Sequence, residues 1–441
     1  MDERDVVTCF LRDGGEVLLL RRSESVGSYR GQWGGVAGHV ADDEGRDRAP
    51  ETAARAEISE ETGLGDAVTL VRAGDPFTFA DEDCGTRWTV HPFLFDCDAR
   101  DVTANEETTE TAWVHPPAIL RRETVPRLWT AYDRVRPRVA TVRDDREHGS
   151  AWLSLRALEL LRDEAALAAV GRRDEHETPD RDGDDWPALA ALARRVRDAR
   201  PSMAVLTNRV NHAMHAVGEG GTPAAVERAA REGVERAVGA DRQAAERAAA
   251  ALPDRVATLS RSGSVAAAIR GGDPAAVLVA ESRPGGEGVG VAESLADAAD
   301  VTLTSDAALA FELVAWDADC LLVGADRVLS DGRVVNKAGT RGAALSARAT
   351  GLDRLVVAAG DKVAADDGYD LEPRAGTELY DGDADVAVAN PTFDVTPADA
   401  VTAVVTEDGR LDGDDVADLA ATHREWAAWD DASGDTAGDG E

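Results

Sequence analysis

Glu57, Glu60 and Glu61 stand in the run Ala56-Glu-Ile-Ser-Glu-Glu-Thr-Gly-Leu64. On a helix, positions i, i+3 and i+4 share one face. Three carboxylates held that close repel one another unless a cation sits among them. Hard oxygen ligands of this kind suit Mg²⁺ or Mn²⁺. Gly63 follows the last turn, where a glycine commonly ends a helix. The alternative is a solvated acidic face. The composition keeps that alternative open, since 84 Asp and Glu face 48 Lys and Arg, for a net charge of −36.

A second group of residues follows a series of short apolar runs. In order these are Ser260-Arg-Ser-Gly-Ser264, Glu281-Ser-Arg-Pro284, Gly324-Ala-Asp-Arg-Val328, Asn336-Lys-Ala-Gly-Thr340, Asn390-Pro-Thr-Phe393 and Thr406-Glu-Asp-Gly409. Gly- and Ser-rich turns at strand ends expose backbone N–H groups to phosphate. Arg283 and Lys337 add positive charge, and Lys337 and Lys362 are the only lysines in the sequence. Asp326 ends an apolar strand, where a carboxylate is costly unless it is hydrogen-bonded or does acid–base work. Plainer roles exist for each. Asp326 can cap a helix or pair with Arg327 or Arg341, Arg283 can pair with Glu281 in a fixed turn, Asn336 can form an Asx turn, and Ser260 and Ser262 can cap the helix that follows. His212 and His215 share a helical face but lack a third ligand.

The elements that must carry these residues fall into three stretches. Val6–Leu11, Glu16–Leu20, Val68–Arg72, Arg87–Phe95 and Glu110–Val114 read as strands around one acidic helix at 50–62, which suits an α+β sandwich over residues 1–145. Residues 146–252 read as helical, with 171–185 an exposed polar loop. From 253 to 425, short apolar strands alternate with alanine-rich helices: Arg255–Leu259, Ala276–Ala280, Val301–Thr304, Cys320–Val323, Leu355–Ala358, Val386–Ala389 and Val401–Val405. This pattern implies a Rossmann-like parallel sheet covered on both faces, with ligands at the carboxyl ends of the strands. Residues 426–441 read as a disordered acidic tail.

With 441 residues, two or three domains are expected. No basic stripe offers a nucleic-acid surface. No apolar run approaches the length of a membrane span. The N-terminal Met1-Asp-Glu-Arg-Asp lacks the basic region and apolar core of a secretion signal. Cys9, Cys84, Cys97 and Cys320 form no CxxC pair and read as buried free thiols of a reducing cytoplasm. An acidic, lysine-poor chain is similar to proteins of salt-in halophiles. At molar salt the Debye length is about 3 Å, so the acidity reports habitat rather than partner.

The stretches Trp33-Gly-Gly-Val-Ala-Gly38, Pro50-Glu-Thr-Ala-Ala54 and Glu57-Ile-Ser-Glu-Glu-Thr-Gly-Leu64 resemble the Nudix box. The resemblance implies that Gly38 belongs to a substrate loop, that Glu57, Glu60 and Glu61 bind Mg²⁺ or Mn²⁺, and that Glu60 and Glu61 serve hydrolysis of a nucleoside diphosphate derivative. The family's arginine before the first helix glutamate is Ala56 here. Arg55 is about 100° round the helix from it. The loop from Gly38 to Glu57 is also four residues longer than the family pattern.

The second set, with Arg200-Pro-Ser-Met-Ala204, resembles the translation initiation factor 2B alpha, beta and delta subunits. Methylthioribose-1-phosphate and ribose-1,5-bisphosphate isomerases share that family. The resemblance implies that Asp326 is catalytic, that Arg283, Asn336 and Lys337 hold substrate phosphate, and that the chain forms a homodimer. The family's catalytic cysteine is Ser260 here, and a hydroxyl is a far weaker acid than a thiol of pKa about 8.5. The favoured reading is a metal-dependent hydrolase joined to a domain that binds a sugar phosphate or nucleotide. The alternatives are a non-catalytic regulatory protein related to the initiation factors, and an isomerase.

Overall fold

The computed structural model describes residues 1–42, 45–46, 48–145, 147–172 and 185–430. The expected loop at 171–185 and acidic tail lie largely outside the described residues. Two compact units emerge. One takes in residues 1–141, 159–189 and 222–234, and the other takes in 142–158, 190–221 and 235–441.

In the first unit, β1 (Asp2–Asp13) and β2 (Glu16–Arg22) form a hairpin. Gly14 and Gly15 at its turn both have positive φ, 54° and 82°, as tight hairpin turns of this hand require. β3 (Trp33–Gly34) and β4 (Val36–His39) precede helix α1 (Pro50–Thr62). β5 (Val68–Ala73), β6 (Phe77–Asp81), β7 (Thr86–Cys97) and β8 (Thr108–Val114) complete an eight-stranded mixed sheet. β1 runs parallel to β7 along its length, from Asp2 opposite Thr86 to Arg12 opposite Asp96. Side chains alternate across β1. Val7, Cys9 and Leu11 meet Ala53, Ala54 and Ile58 of α1. Phe10 points the other way, into a cluster with Leu19, Leu94, Trp129 and Tyr132. Trp129 and Tyr132 come from α2 (Leu128–Asp133).

α3 (Val139–Asp144), α4 (Ser150–Ala169), α5 (Asp185–Arg197), α6 (Ala204–Val217) and α7 (Pro223–Ala249) follow. The second half of α4 belongs to the first unit, and its charged residues are buried there. Arg136 is fully buried and pairs with Glu164 and with Asp133. Burial opposes its charge, but these carboxylates hold the guanidinium protonated, well above its usual range. Arg12 pairs with Asp96 at 2.7 Å and reaches Glu159 at 3.5 Å. The Tyr132 hydroxyl donates to Asp163 at 3.0 Å, and Arg162 donates to the Gly15 carbonyl at 2.7 Å. Leu167 closes the Phe10 cluster. This unit therefore extends past residue 145 by a helix that the sequence groups with the helical stretch.

The second unit alternates strand and helix: β9 (Arg255–Leu259), α8 (Gly263–Gly272), β10 (Ala276–Ala280), α9 (Glu287–Leu295), β11 (Asp300–Thr304), α10 (Asp306–Ala315) and β12 (Cys320–Gly324). Then come β13 (Arg327–Val328), β14 (Val334–Lys337), α11 (Thr340–Thr350), β15 (Asp353–Val357), β16 (Phe393–Thr396), β17 (Ala403–Thr406), β18 (Gly409–Leu411) and α12 (Gly413–Ala427). The main sheet has the order β11-β10-β9-β12-β15-β17-β18. Its neighbours run parallel except at the β17–β18 edge. Apolar clusters cover both faces, which is why β10 and β12 are buried along their whole length. The chain winds outward from β9 to β11 and then returns to place β12 beside β9. That reversal opens a crevice between the carboxyl ends of β9 and β12.

Three expectations need correction. Val386–Ala389 is no strand: its residues are exposed in an irregular segment that follows the acidic stretch around Asp381 and Asp385. The strand nearby is β16, which pairs antiparallel with β14 in a separate three-stranded sheet. Cys84 is exposed, although Cys9, Cys97 and Cys320 are buried; all are free thiols. Within 426–430, α12 continues to Ala427, and Asp430 pairs with Arg194 and Arg197. Among the described residues, no helix is long and apolar enough to cross a membrane.

Candidate functional site

The acidic site of the first unit is built by α1 and the turn into it from β4. Pro50 opens α1, and Gly63 ends it at φ 71° with its N–H on the Ser59 carbonyl. The one-face spacing therefore places the three glutamates at different depths. Glu61 is buried, 6% exposed, and accepts from the Ala37 N–H at 3.2 Å. Its carboxyl is pushed up to about 8, chiefly by burial, with the Ala37 bond pulling down and Glu57 pushing up. Glu57 is half-buried and Glu60 is exposed. Gly38 does not merely shape a loop. A Cβ at residue 38 would lie 2.0 Å from the Glu57 Cδ, so only glycine leaves room for that carboxylate.

Among the described residues, no group of three or more His, Cys, Asp or Glu side chains is already gathered as a metal cage. The donors still fit a hard cation. Glu57 lies close enough to Glu61 to raise its proton affinity. Mg²⁺ in such sites is held by one or two carboxylates and keeps several waters for substrate phosphate to displace. Arg55 does not serve the site; it pairs with Glu51 at 3.0 Å and lies over the Phe95 ring. A cation that does stand beside Glu57 is Arg48, at 3.6 Å. Its signal in the sequence is the longer loop, whose contents carry no readable direction. His212 stacks on Trp426 with ring centroids 3.8 Å apart, and among the described residues no third ligand gathers with it and His215.

In the second unit, a cleft of about 780 Å³ opens at the β9/β12 crevice and is lined by Ser260, Ser262, Asp326, Asn336 and Lys362, among others. Ser260 has φ +62°, a left-handed conformation uncommon outside glycine. Its N–H donates to the Ser282 Oγ at 2.6 Å, and Ser282, itself at φ +62°, is fully buried. The Asp306 carboxylate in turn accepts from the Ser282 and Arg283 N–H groups, at 2.8 and 2.6 Å. Residues held in sparsely populated backbone regions cluster at ligand sites. Ser262, two residues on, caps α8.

Asp326 neither caps a helix nor pairs with its neighbours. Arg327 goes to Asp366, and Arg341 to the Val395 carbonyl. Burial pushes the Asp326 carboxyl above the usual carboxylate range, opposed by Lys362 and then Lys337, with Glu372 adding to the rise. Asn336 lines the cleft and donates to Thr340 at 3.0 Å. Lys337 and Arg283 are placed otherwise. Lys337 is buried against Glu287 at 2.6 Å and is absent from the cleft lining. Arg283 is exposed and pairs with Glu281 at 3.0 Å, the turn role left open by the sequence. The lysine that faces the cleft is Lys362, anchored on the Ala325 carbonyl. Lys362 is as rare as Lys337 in a chain with two lysines.

Comparison with known proteins finds two family matches in succession along the chain. The Initiation factor 2 subunit family model matches residues 146–413, and the NUDIX domain model matches residues 2–135. A probable bifunctional methylthioribose-1-phosphate isomerase/methylthioribulose-1-phosphate dehydratase of Nocardia farcinica is 35% identical over 274 residues, 55% of this chain and 50% of that protein. The methylthioribose-1-phosphate isomerase of Alkalilimnicola ehrlichii is 33% identical, over 56% of this chain and 77% of its own. The chain spans about half the length, or less, of the first curated relatives it matches. A solved translation initiation factor eIF-2B from Pyrococcus horikoshii OT3 superposes with TM-score 0.51 at 27% identity, over 62% of this chain and 94% of its own. The 5-methylthioribose 1-phosphate isomerase of the same organism, at 19% identity and TM-score 0.50 over 72% of this chain and 89% of its own, speaks for the fold alone. With three-fifths of its length under one family model and a separate match ahead of it, the chain belongs to the initiation factor 2 subunit family and carries a NUDIX domain before that region.

Proposed function

We propose that the first unit hydrolyses a nucleoside diphosphate derivative with Mg²⁺ or Mn²⁺ at Glu57, Glu60 and Glu61, and that the second binds a sugar phosphate or nucleotide. The observation that carries the hydrolase reading is the Glu57 carboxylate, packed on the bare Gly38 and close to the buried Glu61. When bound, the metal supplies charge screening on the phosphates and an activated water. Glu61, with the Ala37 N–H, fixes the inner wall of the site, and the Glu57 carboxylate lies near it against Gly38. The exposed Glu60 is the carboxylate best placed to meet an entering substrate and take a proton from water. In an assay of the full chain with Mg²⁺ and a panel of diphosphate derivatives, release of phosphate or nucleoside monophosphate is expected. Glu60→Gln should lower it by more than the ~10–100-fold typical of outer-shell changes. Activity that survives this substitution would move the metal elsewhere.

A second reading, sugar-phosphate isomerisation, is favoured by the raised Asp326 carboxyl beside Lys362 in the cleft. There Asp326 would move a proton between C1 and C2 of an aldose 1-phosphate, with Lys362 holding phosphate and Ser260 offering its hydroxyl. Lys362→Ala should remove the rise in melting temperature that ribose 1,5-bisphosphate gives the parent. Turnover to ribulose 1,5-bisphosphate, lost in Asp326→Asn, would establish an isomerase. Tight binding without turnover would establish a regulatory protein. An unchanged ligand response in Lys362→Ala would remove that lysine from the site. A cytoplasmic homodimer adapted to concentrated salt completes the proposal.

A further inference from the structure

We infer that Arg48, supplied by the lengthened loop before α1, is the positioning residue that aims the Glu57 carboxylate; this rests on the hydrolase reading above. The Arg48 guanidinium is fixed before it meets the carboxylate. Its Nη2 donates to the His39 carbonyl at 2.9 Å and its Nε to the Val40 carbonyl at 3.2 Å. The Arg48 N–H also reaches the Val40 carbonyl, at 3.3 Å. From that anchored position Nη2 stands 3.6 Å from the Glu57 Oε1. Gly38 bounds the same carboxylate from the strand side. The carboxylate thus lies between a backbone surface and a guanidinium held by two carbonyls of the adjoining strand and turn.

The helix offers no replacement. Residue 56 is alanine, and the neighbouring Arg55 is turned to Glu51. A planar guanidinium can engage two carbonyls while another N–H faces a carboxylate, which a lysine ammonium on a flexible stem cannot reproduce. At 3.6 Å the contact is an ion pair rather than a hydrogen bond. Both side chains keep some exposure, 26% and 17%, so it adds little to stability. Its effect is therefore on direction. A merely electrostatic role would have the opposite sign for metal binding, since a positive charge beside Glu57 competes with a bound cation and its removal would tighten that cation.

The test uses the full chain and its Arg48→Ala and Arg48→Lys variants. Turnover is read on whichever diphosphate derivative the parent hydrolyses, and Mn²⁺ binding is read from the free-ion electron paramagnetic resonance signal. For Arg48→Ala, kcat should fall by about 10- to 100-fold. KM should change far less, Mn²⁺ should bind no more tightly, and the melting temperature should stay within about 2 °C. Arg48→Lys should recover part of kcat. Arg48→Ala with kcat within about twofold of the parent, or with a loss of kcat that follows a loss of fold, overturns the proposal. A parent that neither binds Mn²⁺ nor turns over any derivative overturns the hydrolase reading itself and the proposal with it, a result separate from any difference among the Arg48 variants.

Discussion

Gly38→Ala should lower hydrolysis by about 100-fold or more while leaving the melting temperature nearly unchanged. The added Cβ would lie 2.0 Å from Cδ and 2.2 Å from Oε1 of Glu57. Side-chain atoms do not approach that closely, so one group must move. The group that can move is the end of a flexible glutamate, not the strand, and the fold therefore tolerates the change. The reaction does not, because displacing a catalytic group by about 1 Å can cost about 100-fold in rate. Thermal unfolding and steady-state kinetics on the same preparation check this split. Activity within a few-fold of the parent would mean that the packing of Glu57 on residue 38 is incidental to catalysis.

Arg136→Ala should destabilise the first unit by about 3–5 kcal/mol, the range for removing one partner of a buried ion pair. Arg136 is fully buried, and its partner Glu164 is equally buried. Removing the arginine takes a buried positive charge away from a buried carboxylate. The double change Arg136→Met with Glu164→Leu should recover most of the loss, because an apolar pair of similar volume is often neutral. Urea unfolding followed by tryptophan fluorescence reads both variants, with the two units allowed separate transitions. A single variant as stable as the parent would show that the second half of α4 does not hold the sandwich.

The same helix shows where the sequence stops being readable. The apolar residues Leu153, Leu158, Leu160 and Leu161 mark α4 as a helix with a buried face. Glu159, Arg162, Asp163 and Glu164 are charged, yet all are buried. Their partners lie far away in sequence: Arg12 is 147 residues from Glu159. Local pattern cannot announce such a pairing, so the sequence groups the helix with the stretch that follows it. The strands of the parallel sheet are legible because burial on both faces demands continuous apolar runs. Val386–Ala389 imitates that signal, and nothing in its own residues reveals that it is exposed.

At the two sites, residue type is legible and direction is not. The spacing of Glu57, Glu60 and Glu61 places them on one helical turn, but their burial depends on a strand that passes Ala37 and Gly38 alongside. Asp326 reaches the cleft because it follows β12 at the chain reversal, and Asn336 reaches it from β14 of the smaller sheet. Arg283 and Lys337 sit in equally marked motifs, but nearby carboxylates hold them elsewhere. Lys362 follows β15 after a short turn with no marked pattern, and only its rarity singles it out.

The most direct measurement is a crystal of the full chain soaked in Mn²⁺ and recorded at the manganese absorption edge. An anomalous peak about 2.0–2.2 Å from carboxylate oxygens of Glu57 and Glu61, on the side open to Glu60, is the expected result. No peak beside α1 in a crystal that retains Mn²⁺ elsewhere would contradict the account.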